Sequence, residues 1–156
     1  NAVYIGGGTG IADGIILKGK MIDFNARDDV KRSWELKIPS GETIESCLSP
    51  KWMIHQWNIS QREKVETLDQ LSKNQNADTI FEKATEAFSF LIQNRTRFFK
   101  ANHAKIEKIV IGQRLGIFMA NSKLISLLES NTDIPLDYST DRRTAALGAA
   151  WKRICS

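Results

Sequence analysis

The sequence lacks the features that mark secreted, disulfide-stabilised and membrane-spanning proteins. It has only two cysteines, Cys47 and Cys155, which lie far apart and outside any Cys-x-x-Cys spacing. We therefore expect two free thiols in a reducing compartment. The sequence also has no apolar run of about eighteen residues and no basic-then-apolar leader, which predicts a cytoplasmic protein.

The charge pattern argues against a nucleic-acid-binding protein. The net charge of +4 is modest, and the lysines and arginines are scattered among aspartates and glutamates instead of forming a basic stripe. A hydrophobic fraction of 42% and a charged fraction of 26% are ordinary for a folded domain. The length of 156 residues predicts a single domain, residues 1–156.

The first part of the chain predicts a β-meander. Residues 2–5 are short and apolar, and residues 11–17 form a β-branched run, so both are typical of strands. The glycine-rich residues 6–10 form the turn between them, and a second turn at residues 18–20 leads to a short third strand.

The rest of the chain predicts helices packed against the sheet. Ser49 suits an N-cap before Pro50, the residues from Ser60 to Glu63 form a capping-box pattern, and Asp141 suits the cap of a last helix. The spacing over residues 79–101 predicts a long helix with Arg95 and Arg97 on its solvated side. A strand over residues 106–111, a helix over 115–128 and an extended segment over 136–139 complete a mixed α/β architecture.

The segment Gly6-Gly7-Gly8-Thr9-Gly10 is the sharpest motif in the sequence. Glycines let several backbone N–H groups approach one phosphate, and the Thr9 hydroxyl adds a donor. The motif alone also fits a plain hairpin turn. It has no lysine and opens into a strand, so it is neither a Walker loop nor a dinucleotide fingerprint.

Several ordered motifs resemble the ROK family of sugar kinases and sugar-sensing repressors. Residues 8–16 (GTGIADGII) are similar to its phosphate hairpin, residues 109–115 (IVIGQRL) to its adenosine loop, and residues 145–150 (AALGAA) to its closing helix. The resemblance implies a ribonuclease-H-like, actin-like ATPase fold, with this chain as the C-terminal lobe. It also implies ATP and Mg²⁺ as cofactors and a sugar as substrate.

The resemblance implies a set of binding residues as well. In the family the matching positions contact the nucleotide, which makes the following residues nucleotide-binding candidates here: Gly7, Gly8, Thr9, Gly10, Gly112, Gln113 and Leu115. Glu35 and Glu45 fall where the family has glutamates that face the sugar. Two of the three glycines in the family's adenosine loop are replaced, by Gln113 and Arg114.

The departures from the family shape the remaining expectations. Cys47 is the only cysteine in the region of the family's zinc site, so we expect no structural zinc. The family's first phosphate loop and catalytic aspartate would precede Asn1. We therefore expect a fragment of a longer protein whose N-terminal lobe is absent, and a fragment that is inactive alone.

Three functions stay open at the sequence level. The first is the nucleotide-binding half of an ATP-dependent sugar kinase. The second is a non-catalytic sugar-sensing regulator of the same fold. The third is a dimerisation module in which helices around Trp52, Trp57 and Phe88 form a self-complementary face.

Overall fold

A five-stranded mixed sheet forms the centre of the protein in a computed structural model, which describes residues 1–120, 122 and 124–141. The strands are β1 (Ala2–Gly7), β2 (Ile11–Leu17), β3 (Lys20–Met21), β4 (Lys108–Gly112) and β5 (Leu136–Tyr138). Their order across the sheet is β3-β2-β1-β4-β5. The first three strands are antiparallel neighbours, which confirms the predicted β-meander, whereas β1 and β5 both run parallel to β4.

Six α-helices are described: α1 (Glu45–Leu48), α2 (Pro50–Ser60), α3 (Leu68–Ser72), α4 (Asp78–Ala101), α5 (Gln113–Met119) and α6 (Leu124–Glu129). The predicted cap of α2 is confirmed, because the Ser49 side chain accepts a hydrogen bond from the Trp52 N–H. The predicted last helix after Asp141 lies outside the described residues.

Two helix predictions were wrong at their boundaries. Ser60 ends α2 instead of opening a helix, and the capping box is formed by Thr67 and Gln70 at the start of α3. The helix predicted over residues 115–128 is divided into α5 and α6. The N–H of Ser122 bonds to the Met119 carbonyl three residues back, which closes the end of α5 as a turn.

The prediction for Arg95 was also wrong, because Arg95 lies on the buried side of α4 and its side chain is fully inaccessible. Arg97, two residues later, is exposed as predicted. The Arg95 guanidinium donates to Asp13 on β2 with Nη2–Oδ2 and Nε–Oδ2 distances of 2.6 and 2.8 Å. It also donates to the carbonyl oxygen of Lys31 at 2.8 Å. The ion pair with Asp13 offsets the cost of burying the Arg95 charge. The hydropathy of the helix alone does not reveal such a distant partner.

The proposed self-complementary face around Trp52, Trp57 and Phe88 is not available. Trp57 is 3% exposed and Phe88 is completely buried, so both belong to the core of a single chain. The Trp57 indole N–H donates to the Glu63 carbonyl oxygen. A homodimer would therefore have to use another surface.

Two further sequence predictions concern the cysteines and membrane-spanning segments. Cys47 is a free, buried thiol, and burial raises its pKa, whereas Cys155 lies outside the described residues. Among the helices of the described part of the chain, none is both long and apolar enough to cross a membrane.

The raised pKa of Tyr138 predicts a loss of stability at alkaline pH. Burial, with a smaller contribution from Glu129, raises the pKa of Tyr138 to about 12. The folded state holds this proton more tightly than the unfolded state, whose tyrosine pKa is about 10. Stability is therefore complete below pH 10 and falls by up to about 1.4 kcal/mol per pH unit as the pH rises towards 12.

Urea unfolding at pH 9, 10 and 11 would measure this effect. Burial also raises the pKa of Tyr4, the other tyrosine. In the Tyr138→Phe variant, the free energy of unfolding should therefore still fall with pH, but less steeply than in the wild type. If the free energy of unfolding falls as steeply with pH in Tyr138→Phe as in the wild type, Tyr138 is not the group that causes the loss of stability.

Candidate functional site

Three segments that are distant in sequence meet at one end of the sheet. Strands β1 and β4 are parallel and place Gly6 beside Gly112, so the two loops that follow them leave the sheet at the same edge. A further bridge joins Gly7 to Gln113. The start of α1 reaches the same place, because the Glu45 carboxylate accepts a hydrogen bond from the Ile11 N–H at 3.1 Å.

The tip of the glycine hairpin presents free donors. The Gly8 N–H bonds to the Gly10 carbonyl oxygen at 2.9 Å and tightens the turn. Within the described residues, the N–H groups of Thr9 and Gly10 have no hydrogen-bond partner, and Thr9 is exposed. The tip therefore offers two backbone N–H groups and one hydroxyl group, which is a donor set suited to an anion.

Gly7, Gly112 and Leu115, three of the nucleotide-binding candidates, are buried and packed within the chain. A side chain at Gly7 would lie 2.6 Å from the Leu115 Cβ atom, and one at Gly112 would lie 2.7 Å from the Tyr4 ring. Leu115 is completely buried. These three residues pack beneath the two loops. The other four nucleotide-binding candidates, Gly8, Thr9, Gly10 and Gln113, lie nearer the surface.

Gln113 stands in the left-handed backbone region, with φ of 60°. That conformation favours glycine and is uncommon for other residues, which fits the glycine of the family pattern. The Gln113 carboxamide lies over the hairpin: its Nε2 and Oε1 atoms are 3.2 and 3.3 Å from where a Cβ atom would stand on Gly6 and Gly8, respectively. The Gln113 side chain therefore fills space directly beside the glycine hairpin.

The two candidate sugar-binding glutamates are placed differently. Glu45 is partly buried at the hairpin, whereas Glu35 is exposed in a single 3-10 turn, Ser33–Glu35. The Glu35 carboxylate accepts a hydrogen bond from the Arg32 N–H at 2.7 Å and lies 3.8 Å from the Arg32 guanidinium. Among the described residues no hydrogen bond or ion pair joins Glu35 to the hairpin.

Tyr4 and Asp13 are parts of this region that the sequence did not single out. The Tyr4 ring covers Gly6 and Gly112, and its buried hydroxyl group has no hydrogen-bond partner in the described part of the chain. Asp13 accepts the Ser33 N–H at 2.8 Å in addition to Arg95. An aromatic residue two positions before a glycine on the same strand face was the available signal for Tyr4.

A cleft of about 670 Å³ lies beside Arg114, the residue after Gln113. Apolar side chains from three helices line it together with charged and polar groups: Ile54, Leu68, Ile117, Phe118, Arg114, Glu66, Thr67 and Asp69. Clefts of this size and mixed polarity hold small ligands in proteins. In residues 1–120, 122 and 124–141, no group of three or more histidine, cysteine, aspartate or glutamate side chains could hold a metal ion.

Neither a protein-family model nor a curated protein matches this sequence. Solved structures are nevertheless similar to it. A ROK hexokinase from Thermus thermophilus aligns over 98% of this chain and 57% of its own, with a TM-score of 0.68 and 15% identity. A ROK family protein from Streptococcus pneumoniae TIGR4, solved in complex with sucrose, aligns over 99% of this chain and 58% of its own, with a TM-score of 0.73 and 12% identity.

A ROK family transcriptional regulator, a homologue of the Escherichia coli MLC protein, is also similar. It aligns over 88% of this chain and 41% of its own, with a TM-score of 0.58 and 14% identity. The chain thus spans a little more than half of the hexokinase and of the sucrose-bound protein. At these identities the likeness concerns the fold, and the chain has the ribonuclease-H-like, actin-like ATPase fold of the ROK structures.

Proposed function

We propose that this chain is the nucleotide- and sugar-binding lobe of a ROK-type, ATP-dependent sugar kinase. The observation that carries the proposal is the exposed tip of the hairpin, where Thr9 and Gly10 offer free N–H groups at the meeting point of three segments. The order of motifs along the sequence and the similarity to a ROK hexokinase support it. A kinase of this kind works in the cytoplasm, where ATP is available.

The donor set at the hairpin fits the phosphates of ATP. The N–H groups of Thr9 and Gly10 and the Thr9 hydroxyl group would bind phosphoryl oxygens, and the apolar part of the Arg114 cleft would accommodate the base. When bound, ATP supplies the phosphoryl group, and Mg²⁺ neutralises the charge that develops on it. Glu45 lies at the phosphate end of this site, where the accepting sugar hydroxyl must also arrive.

The lobe by itself would bind ligands without turning them over. The catalytic aspartate of the family belongs to the N-terminal lobe, and closure of two lobes would bring it to the sugar. Glu35 remains a second proposed sugar contact, and its bond to the Arg32 N–H would hold the carboxylate in one orientation.

Nuclear magnetic resonance of the 15N-labelled chain would test the proposal directly. On addition of ATP and Mg²⁺, we expect the amide signals of Thr9 and Gly10 to shift with a dissociation constant in the millimolar range or below. A Gly8→Val, Thr9→Ala double variant should lose these shifts. Gly14→Ala is the matched control, because no atom lies within 4 Å of the side chain it would add in the same hairpin.

The outcomes separate the proposal from its alternatives. Shifts that survive the double variant, or that avoid the hairpin, would contradict nucleotide binding at this site. A dissociation constant of about ten millimolar marks the weakest binding that is relevant. The absence of any shift at about ten millimolar ATP would therefore contradict nucleotide binding altogether.

Gln113 favours a sugar-sensing regulator as the second candidate. Its carboxamide covers Gly6 and Gly8 and narrows the space beside the hairpin, and a ROK transcriptional regulator shares the fold. A regulator would bind a hexose without binding ATP. The Gln113→Gly variant tests the difference, because it opens this space: a gain of ATP binding only in the variant would favour the regulator.

A further inference from the structure

The Glu45 carboxylate occupies part of the hairpin where an anion would bind. Its Oε2 atom accepts the Ile11 N–H at 3.1 Å, and a side chain on Gly10 would overlap the same carboxylate. A carboxylate that accepts a backbone N–H at a glycine loop makes the same contact that a phosphoryl oxygen makes. Glu45 therefore places a negative charge beside the free donors of Thr9 and Gly10.

The core holds the backbone that carries Glu45 in place. Glu45 begins α1, and its neighbours Ile44, Cys47 and Leu48 are completely buried in the core. The Ser46 N–H also bonds to the Thr43 hydroxyl at 3.0 Å. The Cα atom of Glu45 is consequently fixed beside the hairpin, and the bond from the Ile11 N–H orients its carboxylate.

The two carboxylate oxygens of Glu45 differ in their hydrogen-bond partners. Within the described residues, Oε2 has the Ile11 N–H as its partner, whereas Oε1 has no hydrogen-bond partner. Mg²⁺ in phosphoryl-transfer sites is typically bound by one or two carboxylates together with the phosphates of the substrate. An oxygen of Glu45 beside a hairpin-bound phosphate meets that requirement.

We infer that Glu45 makes the hairpin selective for phosphoryl groups that arrive with a divalent cation. The inference rests on the proposed function, and it adds a cation contact at Glu45. Without a cation, the carboxylate and the phosphate repel each other at short range. Glu45 would hold a divalent cation that accompanies the phosphate, and the charge of that cation would turn the repulsion into attraction.

Isothermal titration of the chain with ATP in EDTA and with ATP–Mg²⁺ would measure this selectivity. In the wild type, we expect ATP–Mg²⁺ to bind at least about tenfold more tightly than free ATP. Glu45→Gln keeps the size of the side chain and an acceptor for the Ile11 N–H but removes the charge. It should bind free ATP about tenfold more tightly than the wild type and show little dependence on Mg²⁺.

Two further variants keep the test decisive. Glu82→Gln removes the same charge from an exposed position of α4 and should behave as the wild type. Glu45→Ala removes both the charge and the bond to Ile11, and circular dichroism melting would establish that each variant is folded. Tighter binding of free ATP in both Glu45 variants would support a charge effect, whereas weaker binding in both would show that Glu45 only anchors the loop and would overturn the inference.

The failure of this inference differs from the failure of the proposed function. If the wild type binds free ATP and ATP–Mg²⁺ equally, the cation contact is refuted while nucleotide binding stands. If the wild type and all variants bind neither form, the proposed function itself fails, and the inference falls with it.

Discussion

Replacing Arg95 with methionine should lower the free energy of unfolding by about 3–5 kcal/mol, because the change leaves Asp13 as an unpaired charge in the core. The side chains of both residues are completely buried, and the Arg95 guanidinium also holds the Lys31 carbonyl oxygen. The loss would loosen the contact between β2, α4 and the segment before the 3-10 turn Ser33–Glu35.

Urea unfolding of matched variants would isolate the pair. Arg97→Met makes the same change two residues away at an exposed position and should alter stability by less than about 0.5 kcal/mol. A double variant, Asp13→Leu with Arg95→Met, removes both charges and should be more stable than the sum of the single effects predicts. Equal effects of Arg95→Met and Arg97→Met would refute the importance of the pair.

Gly116→Ala should destabilise the protein by about 3 kcal/mol, although alanine is the better helix former. The added methyl group would overlap the Ile111 carbonyl oxygen and lie 2.7 Å from the Ser139 carbonyl oxygen. Both oxygens belong to the backbone, so neither can rotate away as a flexible side chain could. Helix α5 would have to move off the ends of β4 and β5.

Gly14→Ala again provides the matched control, since its side chain would meet open space. We expect its stability to lie within about 1 kcal/mol of the wild type. Thermal and urea unfolding of both variants would measure the difference. A Gly116→Ala variant as stable as Gly14→Ala would mean that α5 can shift without cost, which would contradict its close packing against the Ile111 and Ser139 carbonyl oxygens.

The fold was predictable because its main signals are local. The glycine turn between two apolar runs indicated the hairpin, Ser49 and Pro50 marked the start of α2, and the apolar spacing of residues 79–101 indicated α4. Each signal depends on backbone preferences or on a short hydrophobic period, and neither needs information about distant residues.

The errors arose where distant residues decide the outcome. The apolar spacing of the long helix predicts Arg95 on its solvated side, but Asp13, at a separation of 82 residues, makes its burial favourable. Trp57 and Phe88 were candidates for a surface, yet packing between α2 and α4 places them in the core.

The candidate site shows the same division. The hairpin and its tip follow from local sequence, because glycine and threonine at residues 6–10 favour a tight turn with free donors. The folded chain brings Glu45 and Gln113 to that hairpin and pairs Glu35 with Arg32 instead. Turn geometry is set by neighbouring residues, whereas the charges and side chains around the turn come from distant segments that the sheet and α1 bring together.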